Sequence, residues 1–234
     1  FADVALRDAI KDEVVIGPRM IVSGPTLSIS GGHGDNNLLP FDHNHSHSNH
    51  SIVDSPWEAR KAVRINRKYG ADLINDVSGF NFDKEALTKI KKYKIAKVLH
   101  HMQGTPNTMQ LNPKYENVLL DIYDFFENNI KNELKDDKII LDPGIGFGKT
   151  LKHNLTLISK ISLFHSLGLP IMIGTSRKRF INQISDTYDS KERIGGTMAS
   201  VLYLLSQGVQ IFRVHNVLEI KQGILVFNKI LSGK

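Results

Sequence analysis

The chain has no cysteine among its 234 residues, which excludes disulfides and thiolate metal sites and agrees with a reducing compartment. It also lacks any apolar run near the roughly 20 residues needed to span a bilayer, and it has no basic-then-apolar leader. A cytoplasmic location and no membrane partner are the expectations. Methionine is missing from the first position, where Phe1 stands, so a preceding segment is expected to have been lost or removed. The net charge of +6 favours anionic partners, but the basic residues lack aromatic interleaving, so no nucleic-acid partner is expected. The densest basic group, Arg60, Lys61, Arg64, Arg67 and Lys68, reads as the solvated face of a helix that Ser55 caps, Pro56 opens and Gly70 ends. A hydrophobic content of 41% is enough for a core of one large domain or two small ones.

The segment KIILDPGIGFGKT, residues 138–150, nearly matches two phosphate-binding motifs and fails each by one residue. A P-loop needs glycine five positions before its Gly148-Lys149 pair, and Pro143, which has no N–H, stands there. A dinucleotide fingerprint beginning at Gly144 and Gly146 needs a third glycine where Lys149 stands. What remains is a β-branched run that delivers Asp142 to a strand end, followed by a glycine-rich turn that starts the next helix near Lys149.

Apolar runs that read as strands occur at 18–23, 71–77, 95–101, 138–142, 170–175 and 210–215. Helical periods fall near 55–69, 83–92, 113–134, 151–166, 192–206 and 217–231, the third opened by Asn112 and Pro113. Such alternation predicts an α/β fold with a parallel sheet covered by helices. Polar residues close the strands: Asn75 and Asp76, His101 and Gln103, Asp142, then Ser176, Arg177 and Lys178, then Arg213 and His215. Their convergence favours a (β/α)8 barrel, incomplete or hybrid with six to eight strands, and an open doubly wound sheet is the alternative. Residues 26–30 are a candidate extra strand. The polar loop 31–54 holds His33, His43, His45, His47 and His50. It predicts adventitious zinc or nickel binding rather than a built metal site, because such a loop supplies no fixed second shell of contacts.

From Asn75 onward the motifs INDVSG, HMQGTPNTMQ, LDPGIGFGKT with HNL, GTSRKRF, ERIGGT and RVH resemble the dihydropteroate synthases, over about residues 71–234. That family joins a pterin methyl pyrophosphate to 4-aminobenzoate in folate biosynthesis, with Mg2+, on a (β/α)8 barrel. The resemblance implies that Asn75 and Asp142 hold the pterin ring and that Lys178 reaches its carbonyl and ring nitrogen. Arg213 would stack on the ring and, with His215, clamp the pyrophosphate. Met102 and Phe147 would line the pocket, and Ser176 would meet the aminobenzoate carboxylate. Lys178, Arg213 and His215 are the implied catalytic residues, and a homodimer is the implied assembly. Plainer roles exist for each: Asp142 as a turn cap, Lys178 as a surface charge, Arg213 as an ion-pair partner.

The N-terminal third departs from that pattern. The family's first-strand asparagine, a magnesium ligand, has no counterpart, and neither does its Gly-Glu-Ser-Thr segment. Residues 1–74 instead resemble metal-dependent amidohydrolases of the imidazolonepropionase and prolidase type, without their metal ligands. The expectation is therefore a chimera of an amidohydrolase-like fragment, 1–74, and a synthase-like fragment, 75–234, together forming one barrel domain with impaired activity. A non-catalytic barrel scaffold and, third, a metal-dependent amidohydrolase are the alternatives.

Overall fold

A computed structural model describes residues 2–15, 20, 22, 56–81, 95–132, 134 and 138–233. The chain divides into two compact units, Phe1–Ile74 and Asn75–Lys234. The expected strands at 18–23 and 26–30, the helix at 83–92, the Ser55 cap and the histidine loop lie wholly or almost wholly outside the described residues.

The first unit carries helices Ala2–Lys11 (α1) and Pro56–Lys68 (α2). Val4, Ala62, Ala71 and Leu73 are buried in it. Arg7 ties α1 to the segment after α2, donating to the Gly70 carbonyl and pairing with Asp72 at 2.8 Å. Gly70 takes φ +95° just past the end of α2, the left-handed stop its position predicts. Lys61, Arg64 and Lys68 are exposed, in line with the solvated-face reading.

Strand Leu73–Asp76 (β1) is first in a sheet of order β1-β2-β3, with Ala96–His100 (β2) and Ile139–Asp142 (β3). β2 and β3 are parallel, with Val98 opposite Ile140 and His100 opposite Asp142. β3 continues through a parallel bridge from Leu141 to Ile171 to Met172–Ile173 (β4), which pairs in parallel with Ile211–Phe212 (β5). Between and after these strands lie Val118–Asn132 (α3), Leu151–Ser159 (α4), Arg179–Ser185 (α5), Ile194–Ser206 (α6) and Val217–Ser232 (α7). The α/β alternation is thus the expected one, with β4 and β5 shorter than their apolar runs predict.

Helix boundaries differ from expectation where side chains cap the backbone. α3 starts at Val118, not Pro113, because the Asn117 side chain accepts from the Leu119 and Leu120 amides at 3.1 and 3.4 Å. α4 starts at Leu151, where its period begins, with Thr150 and His153 forming a reciprocal capping box before it. The period over 151–166 splits at Lys160 into α4 and a tighter 3-10 turn, Ile161–Leu167.

Val118, Leu119, Ile122 and Phe126 form the buried stripe of α3. Phe126 meets Phe164 edge to face at 5.5 Å between centroids. Each such side chain contributes about 1.5–3 kcal/mol on burial. Phe125 of the same helix meets the His101 ring edge to face at 5.0 Å, just beyond the end of β2.

Candidate functional site

Asp142 ends β3 with its side chain 1% exposed. Its Oδ1 accepts from the Gly144 amide at 2.8 Å, while Oδ2 has no hydrogen-bond partner among the described residues and lies 3.6 Å from the Arg213 guanidinium. A carboxylate buried this way is left with one oxygen to offer a ligand. The turn that follows depends on glycine: Gly144 sits at φ +70°, and a Cβ there would stand 1.9 Å from the His101 carbonyl oxygen. Asn154 locks the turn from α4, its Oδ1 accepting from the Gly146 amide at 2.7 Å. Gln110 donates to the Gly146 carbonyl at 2.6 Å and the Tyr115 hydroxyl to that of Gly148 at 2.8 Å, binding the loop after β2 to the same turn.

Lys149 does not lead into solvent at a helix start. It is buried, donating to the Phe147 carbonyl at 2.9 Å and to His101 Nδ1 at 3.1 Å. Burial drives its pKa down to about 7, against the raising effect of Asp142, and Lys178 adds to the fall. His101 is pushed down to about 2 by burial and then by Lys149 and His100. His100, opposite Asp142, donates from Nδ1 to the Val77 carbonyl at 2.9 Å. Burial lowers it to about 4 although Asp142 pulls the other way. Phe147 lies between His100, edge to face at 4.6 Å, and the Lys178 ammonium, 4.8 Å from the ring centroid.

The second side of the site is cationic. Lys178 donates to the Ile145 carbonyl, and its pKa falls to about 7 through burial, with Asp142 opposing and Arg213 reinforcing the fall. Ser176 and His215 form a pair, Oγ to Nδ1 at 2.9 Å, and the Ser176 oxygen also accepts from the His215 amide at 3.2 Å. Burial, then Arg177 and Arg213, lower the His215 pKa. Gly174, Ser176, Lys178, Arg213, Val214 and His215 line a cleft of about 290 Å³. Arg177, at φ +61° and held by Asn216 at 2.8 Å, is not among the residues lining that cleft.

Of the residues singled out in the sequence, Ser176, Lys178, Arg213 and His215 therefore share one cleft, and Asp142 meets it through Arg213, its ion-pair partner. Asn75, next to last in β1, has its Oδ1 buried and without a hydrogen-bond partner among the described residues. Met102 is half-buried beyond β2 and, like Phe147, is not on the cleft's lining. Sequence reasoning missed His100 and the inward course of Lys149. The parity of Val98 and His100 against Ile140 and Asp142 is the signal that finds His100 once the register is known. Among the described residues no three acidic or histidine side chains gather to hold a metal ion.

The family model described as pterin binding enzyme matches residues 53–215. The chain is 36% identical over 178 residues to the dihydropteroate synthase of Escherichia coli (strain K12), a match that takes in 74% of this chain and 62% of that protein. It thus spans less than two thirds of that relative's length. Among solved structures, dihydropteroate synthase from Thermus thermophilus in complex with 6HMPPP superposes with a TM-score of 0.69 at 32% identity, covering 76% of this chain and 70% of that one. The same enzyme in complex with 4-aminobenzoate gives 0.67 at 32% identity, covering 75% and 68%. The fold of the matched region is accordingly the (β/α)8-barrel type and not an open doubly wound sheet. The match also takes in residues 53–74. It therefore overlaps the end of the segment that the sequence reading grouped with amidohydrolases.

Proposed function

This chain belongs to the pterin binding enzyme family, and we propose that it binds 6-hydroxymethyl-dihydropterin pyrophosphate and joins it to 4-aminobenzoate, as a transferase of folate biosynthesis. The observation that carries this reading is Asp142, a buried carboxylate at a strand end with one oxygen that has no hydrogen-bond partner among the described residues and faces a guanidinium 3.6 Å away. A carboxylate accepts two parallel hydrogen bonds from the adjacent N–H donors of an amino-pyrimidinone edge. Asn75 would share the ring with Asp142, and Lys178 would donate to the ring carbonyl and nitrogen, with Met102 and Phe147 against its faces. Arg213 would leave Asp142 to stack on the ring and, with His215, hold the pyrophosphate. Ser176 would take the aminobenzoate carboxylate.

In the reaction the aminobenzoate nitrogen attacks the pterin methylene carbon. The new C–N bond forms as the C–O bond to pyrophosphate breaks, and the nitrogen loses a proton. Positioning of the two reactants and stabilisation of the departing anion are what the cationic cleft supplies. The family implies Mg2+ with the pyrophosphate.

Calorimetric titration with the pterin pyrophosphate tests the reading. Wild type should bind, and Asp142→Ala should lose about 100-fold in affinity, since it removes a charge-assisted acceptor from a buried site. Negligible heat from both proteins would remove the binding claim.

A non-catalytic barrel scaffold is the second reading. Pyrophosphate release upon adding Mg2+ and 4-aminobenzoate would exclude it. The hybrid ancestry of the N-terminal segment, with its amidohydrolase resemblance, belongs to the proposal too, and an unbroken natural coding sequence with relatives of the same layout would remove it. So does a cytoplasmic homodimer. Among the described residues no helix is long and apolar enough to cross a membrane. Exposed Leu218, Leu225, Val226, Ile230 and Leu231 on α7 offer an apolar face for self-association, and sedimentation at monomer mass would exclude it.

A further inference from the structure

Three polar atoms at the ends of consecutive strands are buried without a hydrogen-bond partner among the described residues: Asn75 Oδ1 on β1, His100 Nε2 on β2 and Asp142 Oδ2 on β3. Buried polar atoms are almost always paired, so three orphans side by side call for a common partner. All three are acceptors. The Asn75 and Asp142 atoms are oxygens. His100 is an acceptor at Nε2 because the Val77 carbonyl, 2.9 Å from Nδ1, requires the ring proton on that nitrogen.

The His100 side chain is directed at the site. It is the register partner of Asp142 on the neighbouring parallel strand, so both side chains leave the same face of the sheet. Its Cε1 would be 3.1 Å from a Cβ on Gly144, and its ring packs edge to face on Phe147. The ring is fully buried and confined by these neighbours, so no rotation brings Nε2 to solvent without breaking the Val77 bond.

We infer that His100 is a ligand-binding and specificity-determining residue whose Nε2 accepts a hydrogen bond from an N–H of the bound heterocycle. The inference rests on the proposed pterin site and adds a demand to it. Asp142 Oδ2 takes the donor edge of an amino-pyrimidinone, and His100 selects for a further N–H beside that edge. The ligand class is a fused amino-pyrimidinone with at least three N–H donors available to this wall. A ring offering a lone pair at that place would set two acceptors face to face in a dry site and be rejected.

Two substitutions separate the ligand role from a structural one. His100→Asn keeps a donor where Nδ1 reaches Val77 but withdraws the acceptor at the Nε2 position. His100→Gln places an oxygen near Nε2. In calorimetric titration with 6-hydroxymethyl-7,8-dihydropterin pyrophosphate, His100→Asn should lose about tenfold or more in affinity while His100→Gln stays within about threefold of wild type. Independently of either variant, wild type carrying 15N-labelled histidine should show the His100 Nε2 resonance, identified by its loss in His100→Asn, moving upfield at saturation as the lone pair takes a proton donor. Wild-type affinity in His100→Asn, or an unmoved Nε2 resonance in a saturated complex, overturns the inference and leaves the pterin reading standing. No binding by wild type removes both.

Discussion

The two sides of the site differ in the sign of what they offer. The side built from β1, β2 and β3 presents acceptors: Asn75 Oδ1, His100 Nε2 and Asp142 Oδ2, each buried and without a hydrogen-bond partner among the described residues. The side built from β4 and β5 presents cations and donors, Lys178, Arg213 and the Ser176–His215 pair, around an open cleft. A molecule filling both must be donor-rich at one end and anionic at the other. The two walls also differ in stiffness. The acceptor wall is held by backbone contacts into the Gly144–Gly148 turn and by the buried Lys149. The cationic wall is long side chains over small residues, with Arg213 lying across Gly174.

Paired glycine substitutions test that difference in stiffness. Gly144→Ala should be the more damaging by far, because its Cβ would meet the His101 carbonyl at 1.9 Å at φ +70°, and neither wall atom can yield. A loss of about 4 kcal/mol, or roughly 10 °C in Tm for a chain of this size, is expected by scanning calorimetry. A Tm within a few degrees of wild type would mean that the turn is not rigid. Gly174→Ala should behave differently. Its Cβ would be 3.1 Å from Arg213 Nε, the far end of a flexible side chain. Stability should fall by less than about 1 kcal/mol. Affinity for the pterin pyrophosphate should fall about five- to tenfold because the guanidinium is displaced, with the larger deficit at low salt, where its charge counts most. Equal losses of stability in the two variants would erase the contrast between the walls.

The acceptor wall is also the harder half to read in the sequence. Asp142, Lys178, Arg213 and His215 are legible because charged residues at the ends of apolar runs stand out, and the α/β alternation follows from those runs. His100 is hidden inside the HH pair, since only the register of β2 against β3 tells which histidine shares a face with Asp142. Lys149 resembles an ordinary lysine before a helix. Its burial follows from Thr150 capping α4 and from a turn that folds back on His101, both tertiary facts. The start of α3 is misread for a related reason: Asn112–Pro113 is a start signal, but the Asn117 side chain reaches the free amides first. β4 and β5 are short because hydrogen bonding to a neighbour, not apolar content, ends a strand.

The smallest expected effect separates the two lysines whose pKa values are depressed. Lys149 and Lys178 both have folded pKa values near 7, below the 10.5 of an unperturbed lysine. Between about pH 7 and 10.5 the unfolded chain therefore binds more protons than the folded one, and stability rises with pH across that window. Below about 7 both states are protonated and the cost of burying the charge is fully felt. Lys149→Met should shallow the rise of Tm between pH 7 and 10, since one of the two titrations is gone; an unchanged slope would mean that Lys149 is not held as the structure shows. The walls then part company when the pterin pyrophosphate is added. An anion in the cleft favours the charged form of Lys178, whose ammonium lies on the Phe147 face beside it, and restores its pKa upward. Lys149, donating inward to the Phe147 carbonyl and His101, keeps its depressed value. At saturating ligand the residual slope of wild type should accordingly come from Lys149 and vanish in Lys149→Met, which would assign one lysine to the ligand and the other to the turn.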